Sequence, residues 1–229
     1  MKLKIHGDII PNDDKWLYDW LDLEAACPAD AEKAIEACAD GETLEVEISS
    51  GGGDIFAGSE IYTALRTYKK GPVNILVTGL AASAASVIAM AGRCEMAPTA
   101  LMMIHNVSTR ARGDYREMEH AAEVLRTAND AIAAAYVQKT GMERTELLDL
   151  MDRETWITAE RAVELGFADG ILGEGEEEPL VAAAGMTLSA ETVAKLRGIL
   201  KNKADNGHAA QARAEADYKI MMLKGAQRT

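Results

Sequence analysis

Between residues 43 and 92, apolar strands alternate with helices, and this alternation restricts what the chain can fold into more than any other feature. The stretch "ETLEVEIS" sets Leu44, Val46 and Ile48 on one face and Glu45 and Glu47 on the other, the period of a half-buried strand. "SGGGD" reads as a turn, and "GSEIYTALRTYKKG" as a helix closed by Gly71. "VNILVTG" is a buried strand, "AASAASVIAMAG" a buried helix and "ALMMIHNV" another strand. Strands separated by helices run parallel, so the expected fold class is α/β with a largely parallel sheet. Chemistry in such sheets sits where strands hand over to helices. That singles out three loops: Gly51–Gly53, Gly79–Ser83 and His105–Asn106.

Elsewhere, "KLKIHGDII" alternates like a short strand ending at a Gly-Asp turn. Residues 13–39 carry helical periodicity through Trp16, Leu17, Trp20 and Leu21, then Ala31, Ala34, Ile35 and Cys38, with Pro28 and Asp30 dividing the stretch in two. Residues 114–139 form a long helix with Met118, Ala121, Leu125, Ala128, Ile132 and Ala135 on one side. Two shorter helices follow, "ERTELLDLM" and "TAERAVELG", the second with Thr158 as N-cap and Gly166 as its stop. The composition then shifts. One globular domain is expected over residues 1–172, a Gly-, Glu- and Ala-rich linker over 173–188 and a charged helical tail over 189–229.

A net charge of −13 argues against nucleic acid, since a phosphate-binding face needs clustered Lys and Arg. The longest apolar run, around residues 79–92, is too short and too rich in small residues for a membrane span. No apolar segment follows the charges of "MKLKIHGDII", so a secretory signal is not expected and the protein reads as cytoplasmic. Cys27, Cys38 and Cys94 show neither CxxC nor metal spacing and fit reduced, buried thiols. The histidines at 6, 105, 120 and 208 form no HExxH or HxH pattern, so no metal is expected.

Each of the three loops has a chemical use. Consecutive glycines aim bare backbone N–H groups into space, which serves a tight turn or an oxyanion hole equally. A nucleotide loop is disfavoured: GxxxxGK[ST] is absent and Phe56 stands where GxGxxG needs its third glycine. In "TGLAASAASVIAMAG", Ser83 falls at the helix start, where the dipole and free N–H groups favour an oxyanion. Ser86 falls a turn further in, where a hydroxyl bonds back to the carbonyl four residues earlier. Ser83 is therefore the better candidate nucleophile. His105 ends the strand "ALMMIH" and is the candidate base.

Together these segments resemble the ClpP-type serine peptidases. "ISSGGGDIFAGSEIYTAL" is similar to that family's "INSPGG…AG…IYD" segment, "GLAASAAS" to its "GxAAS" nucleophile motif and "MMIHNV" to its "MIHQP" motif. "RETWITAERAVELGFADGI" resembles the segment carrying the acidic member of the triad. The match runs from about Lys4 to Leu172 in family order. It implies the ClpP/crotonase fold, stacked ββα units with a protruding handle helix at 114–139, and no cofactor. It also implies Ser83 as nucleophile, His105 as general base, and the backbone N–H groups of Gly53 and Ala84 as oxyanion donors.

Three departures accompany the resemblance. The acidic member aligns with Glu154 rather than an aspartate, and Asp152, two residues away, is the alternative. The family's proline in the glycine loop is Gly51 here. The chain begins almost at its first core strand, without the segment through which housekeeping members engage an ATP-driven unfoldase, so no ATPase partner is expected. With the charged tail, this places the resemblance in the phage and prophage branch that processes capsid scaffold. The expected function is a serine endopeptidase acting on unfolded or scaffold-type polypeptides. The expected assembly is a homo-oligomeric, heptameric ring, single or stacked through the handle helix. Two alternatives stand: a non-catalytic ring or scaffold-binding protein, and an acyl-CoA enzyme of the crotonase type, which shares the fold but needs no Ser–His pair.

Overall fold

The computed structural model describes residues 1–173. Strand β1 (Lys2–Ile9) leads through a 3₁₀ turn into α1 (Lys15–Trp20), the two-residue β2 (Ala25–Ala26) and α2 (Pro28–Ala37). Next come β3 (Leu44–Gly53), α3 (Ile55–Arg66), β4 (Val73–Ala82) and α4 (Ala84–Ala89). Strands β5 (Arg93–Met96) and β6 (Leu101–Ile104) precede the long helix α5 (Tyr115–Thr140). The described chain ends with α6 (Arg144–Asp152), β7 (Thr155–Thr158), α7 (Ala159–Glu164) and β8 (Gly170–Ile171).

The fold is α/β on a mostly parallel sheet, in the order β2-β1-β3-β4-β5-β8. Strand β4 is long enough to fork it. Its Asn74–Val77 half carries β5, while Leu80–Ala82 carries β6 in parallel, and β6 carries β7 antiparallel. The side-chain period of two does the sorting. Leu3 and Ile5, Leu44, Val46 and Ile48, and Ile75 and Val77 are all buried under the helices, whereas Glu45 and Asn74 face outward. Each fully buried Ile or Leu contributes about 1.5–3 kcal/mol of transfer free energy, and Ile61 and Leu65 of α3 complete the same core. All of α4 is buried, which its run of small residues permits.

Helix α5 is fixed at both ends. Asp114 accepts hydrogen bonds from the N–H groups of Arg116 and Glu117, and Glu117 accepts one from the N–H of Asp114. Gly141, left-handed at φ 72°, closes it. Its 26 residues span about 39 Å. Only Ala133, Ala135 and Tyr136 near its C-terminal end are buried, and residues 115–120 at the other end are exposed.

Several local expectations are corrected by tertiary contacts. The Gly-Asp turn does not form: β1 runs through Gly7 and Asp8 to Ile9, pairing with β3 on both sides of a register shift between His6 and Asp8. The glycine triplet is not a turn but the end of β3, still paired to β1 through Gly52 and Gly53. Residues 13–39 do not form two halves of one helical stretch: β2 intervenes to pair with β1, and Pro28 opens α2 at its first turn rather than breaking a helix. Trp16 and Trp20 are 69% and 58% exposed, so the periodicity of α1 does not face the core. The buried helix expected over 81–92 contracts to α4, because Ala81 and Ala82 extend β4 and Arg93 starts β5. The linker expected over 173–188 lies outside the described residues but for Gly173, and the tail over 189–229 lies wholly outside them. No helix among the described residues is long and apolar enough to cross a membrane.

Candidate active site

Strands β3, β4 and β6 run parallel, so their C-terminal ends meet on one edge, and the three segments singled out from the sequence converge there, the first two as strand ends rather than loops. Ser83 follows β4 and precedes α4 in a conformation rare for a residue with a side chain, φ 54° and ψ −124°. Such backbone costs on the order of 1–3 kcal/mol and persists only where its surroundings hold it. Here the N–H of Ser83 donates to the carbonyl of Met103 at 2.9 Å, tying the turn to β6. His105 lies just beyond β6, and its Nε2 is 2.8 Å from Ser83 Oγ, a direct hydrogen bond between candidate nucleophile and base.

The end of β3 packs against that turn. Gly52 and Gly53 sit at φ 97° and 147°, backbone that side chains rarely adopt. Gly52 donates its N–H to Ser50 Oγ at 3.1 Å, and Ser50 donates to the Gly7 carbonyl at 2.6 Å, which pins the glycine segment to β1. Asp54 then caps α3, its carboxylate accepting from the N–H of Ala57 at 2.8 Å. Ala84, as the first residue of α4, has an N–H with no intrahelical acceptor.

The carboxylates are placed differently. Strand β6 pairs with β7 in the register Leu101↔Thr158 to Ile104↔Thr155, so His105 and Glu154 are the residues that flank the last pair of that ladder. Glu154 leaves the strand at φ 49°, and its carboxylate accepts from the Trp156 indole N–H at 3.4 Å. Asp152 instead accepts from the Asn106 amide at 2.7 Å. Neither carboxylate hydrogen-bonds His105. The His105–Val107 segment is anchored from two sides: by Asp152 through Asn106, and by Asn129 of α5, whose side-chain oxygen accepts from the Val107 N–H at 2.7 Å.

Beside the Ser83–His105 pair lies a cavity of about 430 Å³, walled on one side by Val124, Leu125, Ala128 and Ile132 of α5. The middle of the helix stripe noted in the sequence therefore faces this cavity. Ser86 is fully buried, but its Oγ donates to the Ser83 carbonyl three residues back, at 2.6 Å, rather than to the carbonyl four back. It also meets the Tyr136 hydroxyl at 2.7 Å. Sequence reasoning missed Tyr136; the one available signal was a lone aromatic in the alanine-rich "AIAAAYV". It missed Asn129 as well, which nothing local marks out. His120 is exposed on α5, and His6, on β1, lies against Glu47.

A serine on a strained strand-to-helix turn, hydrogen-bonded to a histidine and flanked by backbone N–H groups, is the arrangement of a serine-type hydrolase. The comparison with known families narrows this. Residues 33–175 match the Clp protease family, and the chain belongs to that family of serine-type peptidases. It is 34% identical over 144 residues to the ATP-dependent Clp protease proteolytic subunit 1 of Chlamydia muridarum, covering 60% of this chain and 74% of that protein. It is 35% identical to subunit 1 of Protochlamydia amoebophila, over 60% of this chain and 68% of that protein. With the ATP-dependent Clp protease proteolytic subunit of Deinococcus radiodurans it shares 30% identity, over 59% of this chain and 68% of that protein.

Proposed function

We propose that the protein is a serine endopeptidase in which Ser83 is the nucleophile, His105 the general base and Glu154 the acidic residue that orients the imidazole. The 2.8 Å hydrogen bond between Ser83 Oγ and His105 Nε2 carries this reading. Ser83 Oγ attacks the scissile carbonyl carbon as its proton passes to His105 Nε2. The N–H groups of Gly53 and Ala84 stabilise the oxyanion of the tetrahedral intermediate. Collapse breaks the C–N bond, and His105 returns the proton to the leaving amine. Water, deprotonated by the same imidazole, then hydrolyses the acyl-serine.

Support for Glu154 over Asp152 comes from its place directly before β7, whose Thr155 pairs with Ile104, the residue before His105, and from the engagement of Asp152 with Asn106. Substrates are unfolded or scaffold-type polypeptides, and the setting is phage capsid maturation. What supports that setting is the sequence beyond the domain, an acidic Gly/Glu/Ala stretch followed by a charged segment, as in scaffold-processing members. Assembly is into heptameric rings, with α5 as the handle between stacked rings.

The test is reaction with a fluorophosphonate probe, followed by peptide mass spectrometry. Modification at Ser83, lost in Ser83→Ala together with all peptidase activity, is the expected result. An unmodified wild type would make the protein a non-catalytic ring or scaffold-binding member of the family. Modification at Ser86 would overturn the assignment of the nucleophile.

A further inference from the structure

We propose that Tyr136 and Ser86 are positioning residues that act on the oxyanion donor through the peptide unit joining Ser83 to Ala84. This inference rests on the assignment of Ser83 as nucleophile and of the Ala84 N–H as oxyanion donor.

The proton inventory of three oxygens sets the direction of the hydrogen bonds. The carbonyl of Ser83 can only accept, so the single hydrogen of Ser86 Oγ is spent on it, at 2.6 Å. The Tyr136 hydroxyl, 2.7 Å from that same Oγ, must then be the donor to it. The chain runs from the Tyr136 hydroxyl to the Ser86 hydroxyl to the Ser83 carbonyl. Ser86 and Tyr136 are 0% and 1% exposed, which shields both links from bulk solvent. Burial also pushes the Tyr136 phenol well above its ordinary value, which keeps its proton in place. Its ring is held edge-on to Phe167, with centroids 5.9 Å apart.

The receiving carbonyl belongs to the same planar unit as the Ala84 N–H. A hydrogen bond accepted at one end of a peptide withdraws charge from the other, and successive hydroxyls in a low-dielectric interior reinforce one another. The chain therefore makes the Ala84 N–H a stronger donor and holds its plane. The holding matters because Ser83 sits at φ 54°, a strained position whose flanking peptide gains by rotating away. The N–H groups of Ser86 and Val87 also reach the Ser83 carbonyl, at 3.0 and 3.4 Å, and these alone are ordinary first-turn contacts. What is added comes from α5, fifty residues away in sequence. A donor fixed before reaction stabilises the transition state in preference to the bound substrate.

Tyr136→Phe, Ser86→Ala and the double variant test this, each removing oxygen from a buried site with little change of shape. Two quantities are read on the assembled full-length protein: kcat and KM on a fluorogenic peptide, and affinity for a peptide boronate, whose adduct with Ser83 places an oxygen in the oxyanion site. Each single variant is expected to lose about 10-fold in kcat, less than the 10²–10³-fold loss of a direct donor. KM should stay within about 2-fold, because the ground state gains little from the donor. Boronate affinity should fall by the same factor as kcat, and the double variant should be no worse than the weaker single, as for two links of one chain. Unchanged kcat and boronate affinity with a lowered melting temperature would overturn the proposal and leave a packing contact. So would losses that multiply in the double variant. Fluorophosphonate modification of wild-type Ser83 is scored separately, and its failure would overturn the nucleophile assignment rather than the chain alone.

Discussion

Gly52 lies so close to Ser83 that a Cβ on the glycine would stand 2.7 Å from the Cβ of the serine. It would also stand 2.8 Å from the Ala82 carbonyl oxygen and 3.1 Å from the Ala84 backbone nitrogen. The end of β3 and the β4–α4 turn thus meet backbone to backbone. Three consecutive glycines need not share a reason. At Gly51 an added Cβ would meet nothing within 4 Å.

Gly52→Ala is therefore expected to lower kcat/KM by roughly 100-fold, the scale of losing an oxyanion donor, since it combines the clash with a positive φ. Gly51→Ala should stay close to wild type in both activity and melting temperature. Equal losses in the two variants, read by steady-state peptide hydrolysis, would show that the triplet acts as a flexible turn rather than by close approach.

Glu154→Gln is expected to reduce kcat more than Asp152→Asn. Loss of the carboxylate that orients a catalytic histidine costs up to about 10⁴ in kcat. Asp152→Asn leaves an oxygen that still accepts from Asn106, so its effect should be within about 10-fold, the worth of weakening one charge-assisted hydrogen bond. Measured kcat values in the opposite order would move the acidic role to Asp152.

The cavity beside Ser83 and His105 predicts a preference for apolar side chains next to the scissile bond. Its α5 wall carries no charge, and Asp54, at its rim, is engaged in capping α3. Burying an unpaired charge there costs several kcal/mol. Peptide-library digests read by mass spectrometry should show Leu- or Met-like residues favoured over Asp and Lys. Ala128→Phe, which fills the cavity, should shift the preference towards Ala.

Burial pushes the Cys94 thiol from its ordinary value near 9 up to about 12. Between those values the folded state holds a proton that the unfolded state has released, so stability falls as pH rises through that window. One such group accounts for at most about 1.4 kcal/mol per pH unit. Urea unfolding at pH 8, 9.5 and 11 should show the wild type losing stability more steeply than Cys94→Ala, and parallel curves would refute the assignment. At pH 8 the folded protein should resist alkylation at Cys27, Cys38 and Cys94, all of which are buried.

Much of the fold was legible because periodicity is local. Leu44, Val46 and Ile48 declare a half-buried strand without reference to anything else in the chain, and the cap Thr158 and stop Gly166 lie within one turn of the helix they bound. Parallel strand ends then made the loops at residues 53, 83 and 105 neighbours before any contact was known. The short strands β2, β5, β7 and β8, two to four residues each, were not legible, since so few residues carry no period and their stability comes from the strands beside them. The exposed Trp16 and Trp20 show the converse, a helical pattern whose apolar side the core does not take up. In the site, chain order alone pointed to Ser83 and His105. The sequence left Asp152 and Glu154 as alternatives, and the β6–β7 register and the Asn106 amide separate their positions. Likewise, nothing near Ser86 in the chain tells that its hydroxyl meets Tyr136. A hydrogen bond between residues fifty positions apart depends on how two helices pack, and packing is settled by the whole chain at once.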